Sequence, residues 1–390
     1  MAHTIARRWR ALGLTLLVCS LGPARAVAQS APTLVYGTPE DAGMSASVVD
    51  AALSIYEEAV DRGDLVGAVV LVARNGTVVL HEAIGMSDPA NGVPMARNSL
   101  FQMASNTKPV VATAIGMMAA DGRLNPTEPV ATHFPEWDNE QAGHITPELL
   151  LSHTSGFRIS SLFLPGMEEG TDLVAEARRF GEVGAEVEPG AYSYSNPGYN
   201  TLGALLEHLS GEELEAHLDR VLYTPLGMDD SYNYRADHPL DGKRDRLGPM
   251  FYQRDDDGQW IPGQAYTIPF SRASGGMIST AWDYAVFLQA MLNGGAYADT
   301  RLVSEEMVAL MTRDHVEGAE GYGFGWGVPD GYGGWGSGPG YFGHSGSDGT
   351  DAFADPETGL VALVFTQTPN GRPPFSRFRE LVKLAIEPGD

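Results

Sequence analysis

Apolar residues follow two different spacings near the start of the chain. Residues 47–61 place apolar side chains at helical spacing, which predicts an amphipathic helix. Residues 66–73 form an unbroken apolar run that is typical of a buried strand. Asn75-Gly76 separates this run from the strand-like residues 77–80, and an Asn-Gly pair in that position predicts a hairpin with a type I′ turn.

The middle of the chain differs from its end. Residues 108–121 and 280–293 predict buried helices, residues 360–365 a strand, and residues 375–386 a closing helix. The stretch 135–269 has helices and long polar loops but no convincing pair of strands. These patterns indicate an α/β sheet that both ends of the chain build, with an inserted helical region.

The glycine-rich residues 321–349 leave two interpretations open. Composition alone favours a flexible linker. Tyr322, Phe324 and Trp326 alternate with glycines, however, and this alternation favours a strand that approaches neighbouring backbone closely.

The first 28 residues have the features of a secretory signal peptide. Three arginines precede a short apolar run over residues 11–21, and Ala26-Val27-Ala28 supplies a small-residue cleavage site. We therefore expect a signal peptide over residues 1–28 and a periplasmic or extracellular protein. The alternative is a buried N-terminal helix.

Composition narrows the classes of function. The chain has 50 acidic residues against 25 lysines and arginines, and removal of four signal-peptide arginines takes the formal charge of −25 to −29. Such a surface repels phosphate backbones, so we expect no nucleic-acid partner. Cys19 is the single cysteine, which excludes an intramolecular disulfide and a thiolate zinc site. The ten histidines show no metal-ligand spacing, no later apolar stretch is long enough to span a membrane, and we predict neither cofactor nor metal.

Ser105 and Lys108 form a Ser-x-x-Lys motif at the beginning of the helix predicted over 108–121. Positions i and i+3 share a helical face, so the hydroxyl and the amine can meet. A serine hydroxyl needs a neighbouring base, and lysine is a base only when burial or a nearby cation lowers its pKa from about 10.4. The alternative for Ser105 is an ordinary helix N-cap.

Two further motifs carry candidate chemistry. Tyr194-Ser195-Asn196 lies in a turn-rich segment before a helix predicted over 202–209, and its tyrosine is either a proton relay or a packing residue. His344-Ser345-Gly346 begins a predicted strand that can pair with an extended substrate, or else is a turn with an exposed histidine. We interpret His153 and the three residues after it as a structural helix cap and turn.

In order and context, these motifs resemble the serine β-lactamase and penicillin-binding superfamily. The similarity is greatest to the class C β-lactamase group, which includes D,D-peptidases, D-aminopeptidases and family VIII carboxylesterases. It runs over about residues 37–386 and is carried by residues 101–108, 145–156, 194–199, 225–228, 273–280, 322–327 and 343–346. The resemblance implies an α+β fold with an antiparallel sheet flanked by helices. The α/β domain would then comprise residues 34–134 and 270–390, and the mainly helical insert residues 135–269.

The resemblance also implies roles for particular residues. Ser105 would be the acylated nucleophile, and Lys108 would take its proton. Tyr194 would act with Lys108 as base and then help to protonate the leaving group and activate water. Asn196 would orient Lys108 and the substrate. The backbone N–H groups of Ser105 and Ser347 would form the oxyanion hole.

The sequence differs from typical β-lactamases at one motif that is expected to contact the substrate. Typical β-lactamases have Lys-Thr-Gly on the last strand of the site, whereas His344, Ser345 and Gly346 stand here in the substrate-binding position. A histidine is only partly charged near neutral pH and attracts a substrate carboxylate less than lysine does.

Three hypotheses follow from these motifs. The first is an exported serine hydrolase that acts through an acyl-enzyme on esters, or on amides or peptides of D-amino acids. The second is a penicillin-binding D,D-carboxypeptidase or a class C-like β-lactamase. The third is a non-catalytic binding protein that retains the fold.

Overall fold

The computed structural model describes residues 30–158, 170–233, 238–263, 268–316, 321–328, 341–370 and 373–387. The predicted signal peptide and residues 329–340 of the glycine-rich segment lie outside these ranges. The strands are β1 (Val35–Tyr36), β2 (Gly67–Arg74), β3 (Thr77–Asp88), β4 (Val93–Pro94), β5 (Phe101–Gln102), β6 (Tyr232–Asn233), β7 (Tyr252–Arg254), β8 (Trp260–Pro262), β9 (Met277–Ser279), β10 (Ala296–Tyr297), β11 (Thr300–Arg301), β12 (Phe342–Gly346), β13 (Thr350–Asp355) and β14 (Leu360–Thr366).

The α-helices are α1 (Ala46–Asp61), α2 (Thr107–Ala120), α3 (Pro147–Leu151), α4 (Leu173–Val183), α5 (Asn196–Ser210), α6 (Leu214–Leu218), α7 (Thr224–Leu226), α8 (Ala281–Leu292), α9 (Glu305–Met311) and α10 (Phe375–Leu384). The helices predicted near the start and end of the chain therefore form close to their expected bounds. Helix α5 begins six residues before the predicted position 202, because Ser195 caps it there and Pro197 suits its first turn.

The main sheet joins the two ends of the chain. Its strands lie in the order β1-β3-β2-β14-β13-β12, and β4 pairs with β3. The predicted α+β fold, with a sheet built from both ends and flanked by helices, is confirmed. Every pair in this sheet is antiparallel except β1 with β3, which is parallel. The exception arises because α1 and β2 lie between β1 and β3 along the chain, and such a crossover connection is what a parallel pair needs.

Strand β2 is buried on both faces, which explains its unbroken apolar run. Val69 and Leu71 point into the larger core with α2 and α8. Val70 and Val72 point to the opposite face and pack in a second core with α1 and α10. Successive side chains of a strand alternate between its faces, so a strand covered on both sides needs apolar residues throughout.

Two secondary-structure predictions were wrong. The stretch 135–269 contains an antiparallel pair, β7 with β8, and strand β6, which pairs with β9. These strands have only two or three residues, too few for a period of two to be recognised. Tyr322 and Gly327 form an isolated bridge around a turn rather than the strand predicted there, since the chain reverses at Gly325 with a φ of 84°.

The division into an α/β domain and a helical insert remains a prediction. None of the helices in the described ranges combines the length and the hydropathy that a membrane crossing requires.

Candidate active site

Ser105 lies in a short 3-10 helix, Ala104–Asn106, directly before α2. Ala104 has a φ of 45°, a left-handed conformation that is costly for a residue with a side chain. The buried Asn106 side chain holds this turn by donating to the backbone oxygen of Thr350 at 3.1 Å and to its hydroxyl at 2.9 Å. Asn106, not Ser105, is the N-cap residue of α2. The half-buried serine is therefore held at the beginning of the helix by strand β13.

Lys108 is fully buried, and its Nζ has three oxygen neighbours. They are Ser105 Oγ at 3.1 Å, Asn196 Oδ1 at 2.9 Å and the backbone oxygen of Ser274 at 2.7 Å. Burial lowers the pKa of Lys108 well below its usual value, and the positive charge of Arg272 lowers it further. Both effects favour the uncharged form of the amine over that of an exposed lysine.

The three neighbours of Lys108 decide where its protons go. A neutral amine has two N–H groups and one lone pair. Amide and carbonyl oxygens only accept, so the N–H groups are directed to Asn196 and Ser274. The lone pair is left for Ser105, whose hydroxyl can donate to it. This arrangement is the one that a serine nucleophile and its base require.

Tyr194 and Asn196 reach the same site from the beginning of α5. The Ser195 hydroxyl accepts the N–H of Gly198 at 3.0 Å and so caps the helix. Asn196 is the first helical residue and lies against Lys108, while the half-buried Tyr194 precedes the cap. Lys108 Nζ lies 4.7 Å from the centroid of the Tyr194 ring. The structure thus brings Ser105, Lys108, Tyr194 and Asn196 together.

Strand β12 runs past the serine turn. A side chain at Gly346 would come within 2.5 Å of the backbone oxygen of Met103, so only glycine allows this close approach. Ser345 is half-buried. Ser347 follows the end of β12, is exposed, and donates its hydroxyl to Asp348 at 3.0 Å. Strand β12 therefore contacts the turn that holds Ser105 at Gly346, and Ser347 is the next residue along the chain.

His344 points away from solvent and is only 2% exposed. Its Nδ1 lies 2.9 Å from the backbone oxygen of Ser345, and its Nε2 lies 3.0 Å from the hydroxyl of Tyr322. A carbonyl only accepts, so Nδ1 carries the proton and Nε2 accepts from the tyrosine. Burial, with a smaller contribution from Lys108, lowers the pKa of His344 to about 3. The imidazole is uncharged at neutral pH, and both ring nitrogens have protein partners.

Two residues of the site were not recognised as such from the sequence. Arg272 is half-buried, donates to the backbone oxygen of Gly275 at 3.0 Å, and acts on Lys108 through its charge. His153, interpreted as a structural cap, is fully buried with its ring centroid 4.3 Å from that of Tyr194. Neither has a sequence signal of its own, because both reach the site through tertiary contacts.

The described part of the chain contains no group of three or more histidine, cysteine, aspartate or glutamate residues that could hold a metal ion. A serine hydroxyl beside a buried lysine whose pKa is lowered, in a fold with a sheet flanked by helices, is the arrangement of a serine hydrolase. The model of the family described as Beta-lactamase matches residues 53–386, and the chain belongs to this family.

The names of individual relatives describe different activities. Esterase EstB of Burkholderia gladioli is 33% identical over 206 residues, which are 49% of this chain and 52% of that protein, so the match spans about half of its length. Penicillin-binding protein 4 of Amycolatopsis lactamdurans is 31% identical over 340 residues, which are 81% of this chain and 84% of that protein. A solved structure described as EstCE1, a hydrolase with promiscuous acyltransferase activity, has a TM-score of 0.71 at 22% identity and covers 87% of this chain and 98% of its own. At that identity it supports the fold alone.

Proposed function

We propose that the protein hydrolyses esters through an acyl-enzyme on Ser105. The observation that carries this proposal is the environment of Lys108, which is fully buried and lies 3.1 Å from the serine oxygen. Because Asn196 and Ser274 take its two N–H groups, its lone pair is available for the serine proton.

The proposed reaction has two halves. Ser105 Oγ attacks the acyl carbon while its proton passes to Lys108, and the oxyanion is held by the backbone N–H groups of Ser105 and Ser347. The proton then passes to the leaving oxygen, and the alcohol departs. In the second half, water attacks the acyl carbon and gives up a proton to Lys108 or Tyr194. The ester bond to Ser105 Oγ then breaks, the acid departs, and the proton returns to Ser105 Oγ. Both residues serve as the base, and the proposal leaves the division between them open.

The charge of the site favours an uncharged acyl group. His344 occupies the place where β-lactamases have a lysine, but its imidazole is neutral and bonded to Tyr322 and Ser345. Strand β12 therefore offers no cation to a substrate carboxylate. We propose that His344, Ser345 and Gly346 support the substrate through the shape and the backbone of β12, and the esterase name of one relative agrees with this choice.

A second candidate is a penicillin-binding D,D-carboxypeptidase or a weak β-lactamase. The similarity to penicillin-binding protein 4 over 81% of the chain favours it. Arg272 also favours it, because this half-buried guanidinium is close enough to Lys108 to lower its pKa and could attract a carboxylate. A D-amino-acid amide or peptide is a third substrate class that the same acyl-enzyme chemistry serves.

Substrate panels separate these candidates. The purified protein should hydrolyse p-nitrophenyl butyrate, and Ser105→Ala should not. Turnover that is equal in the two proteins would refute the proposal. Labelling of Ser105 by a fluorescent penicillin, together with nitrocefin turnover faster than ester turnover, would favour the second candidate. No reaction of Ser105 with a fluorophosphonate probe would favour a non-catalytic binding protein.

We also propose that the protein is exported to the periplasm or the medium. Support comes from the basic residues, the apolar run and the Ala26-Val27-Ala28 site of the first 28 residues. Expression of the full chain in a bacterium that secretes proteins should give a product that begins at Gln29. Mass spectrometry of an intact, uncleaved chain in the cytoplasm would contradict this prediction.

A further inference from the structure

His153 follows α3 and has a backbone conformation that few side chains adopt. Its φ is 61°, in the left-handed region, where histidine, asparagine and aspartate are found more often than other non-glycine residues. The side chain is fully buried. A strained, buried polar residue persists only when its surroundings hold it, and such positions often serve a functional site.

His153 accepts hydrogen bonds from the two residues that flank Tyr194 in the sequence. The backbone oxygen of His153 accepts the N–H of Ser193 at 2.7 Å. Its Nδ1 accepts the N–H of Ser195 at 3.0 Å. The ring also lies against Tyr194, with 4.3 Å between the two ring centroids. One residue therefore fixes the backbone before and after Tyr194 and contacts its side chain.

His153 is also linked to Lys108, by way of Ser195 and Asn196. Ser195 uses its hydroxyl to cap α5 and its N–H to bond His153. The next residue, Asn196, accepts from Lys108 at 2.9 Å. A displacement of Ser195 would move both Tyr194 and Asn196 relative to the amine.

His153 performs this task only in its neutral form. Nδ1 needs a lone pair in order to accept from Ser195, so the ring proton is on Nε2, which has no hydrogen-bond partner among the described residues. The basic groups near the ring are Lys108 and His344, and either of them would oppose a positive charge on His153. The ring also contacts the rings of Tyr192, Tyr199 and Tyr322. Burial and the two basic neighbours keep its pKa well below the usual value.

We propose that His153 is a positioning residue that sets Tyr194 and Asn196 relative to Lys108 by accepting the N–H of Ser195. The claim about kinetics rests on the proposed hydrolase function. The claim about the backbone does not, because it concerns a hydrogen bond that can be measured without turnover.

The first test measures the backbone alone. Asparagine tolerates a positive φ and can place its side-chain oxygen near the position of Nδ1, whereas alanine has no acceptor. Amide hydrogen exchange at Ser195 should be faster in His153→Ala than in the wild type and close to wild type in His153→Asn. An unchanged exchange rate in a folded His153→Ala protein would overturn the proposal, and so would equal exchange in the two variants.

The second test measures coupling to Tyr194. His153→Ala should lower kcat for p-nitrophenyl butyrate on the order of ten- to hundredfold, with a smaller change in KM, because misplaced catalytic groups are costly. In a Tyr194→Phe background the same substitution should cost clearly less. An equal factor in both backgrounds would mean that His153 serves stability only. His133→Asn is the matched control at a histidine whose ring packs against that of His208, and its kinetics should equal those of the wild type.

The two tests separate the possible failures. If the wild type and Ser105→Ala turn over the ester equally, the proposed function fails while the exchange result still decides the role of His153. If His153→Ala does not fold, His153→Asn carries the test, and it should keep at least a third of the wild-type kcat. A folded Asn variant that loses activity as fully as Tyr194→Phe would overturn the proposal.

Discussion

The site contains two basic side chains that are buried to nearly the same extent but differ in their partners. Lys108 on α2 and His344 on β12 are at most 2% exposed, and burial is the main cause of a lowered pKa in both. Lys108 Nζ lies 3.1 Å from the hydroxyl of Ser105, and the uncharged amine has its lone pair left for that hydroxyl. The lone pair of His344 is occupied by Tyr322, and its ring N–H by Ser345.

The partners therefore distinguish a base whose lone pair is left to a candidate nucleophile from a base whose lone pair is already occupied. Around Lys108 the two other partners are oxygens that only accept, so they orient the amine without competing for the lone pair. Around His344 a donor occupies that position. The same burial therefore gives a candidate base in one region and a fixed part of the framework in the other.

Removal of the amine of Lys108 should have the largest effect. Lys108→Ala should lower kcat/KM for p-nitrophenyl butyrate by about 10²- to 10⁴-fold, the usual contribution of a general base. Lys108→Arg should be equally poor, since a guanidinium keeps its proton. Lys243→Arg, at a half-buried lysine paired with Asp230, is the matched control and should leave the rate unchanged. Substantial activity in Lys108→Arg would show that the lone pair is not used.

The neutral state of His344 should be visible in stability against pH. Its pKa is about 3 in the folded protein against the ordinary value of 6.5. Between these two pH values the unfolded chain therefore binds up to one more proton at this group than the folded chain does. The contribution of this group is complete above pH 6.5 and is lost as the pH falls towards 3, at up to about 1.4 kcal/mol per pH unit. His344→Gln should remove this slope in urea unfolding between pH 4 and pH 6. Parallel curves for the two proteins would contradict the neutral imidazole.

Arg272 should have a smaller effect, which acts through the pKa of Lys108. Its charge lowers that pKa, although less than burial does. Arg272→Gln should therefore raise the pKa of Lys108, so the low-pH side of the plot of kcat/KM against pH should move to higher pH. A movement of half a pKa unit corresponds to roughly a threefold loss of kcat/KM on that side of the plot and to no loss at high pH. Arg272→Lys keeps the charge and should keep that side in place, whereas an unmoved low-pH side in Arg272→Gln would contradict the role of the charge.

The smallest effect is expected for ester turnover in His344→Gln. The histidine carries no charge near neutral pH and offers no unoccupied ring nitrogen, so kcat/KM at pH 7 should stay within about threefold of the wild type. Comparing kcat/KM of His344→Gln with that of Lys108→Ala tests directly whether only Lys108 acts as a base. A loss as large as that of Lys108→Ala would mean that His344 takes part in the chemistry.

The sequence predicted the parts of the fold and the site that depend on near neighbours. The hairpin at Asn75-Gly76 forms as expected, and both glycine and asparagine there have positive φ. Ser105 and Lys108 are three residues apart, so helical geometry alone brings their side chains together. The short strands β7 and β8 were missed, because three residues carry no recognisable period. The turn at Gly325 was missed because the alternation of aromatic residues and glycines there is also that of a strand.

The sequence alone therefore determined three features of the protein. They are a candidate nucleophile close to a lysine, a sheet with strands from both ends of the chain, and the family that the chain resembles. Tertiary structure alone decided which groups are charged and which lone pairs are available. The pKa of Lys108 depends on its burial and on Arg272, and the orientation of Tyr194 involves His153, which is 41 residues away in the chain. Desolvation and hydrogen bonding depend on distance in space, and for these residues that distance is set by the packing of the whole chain.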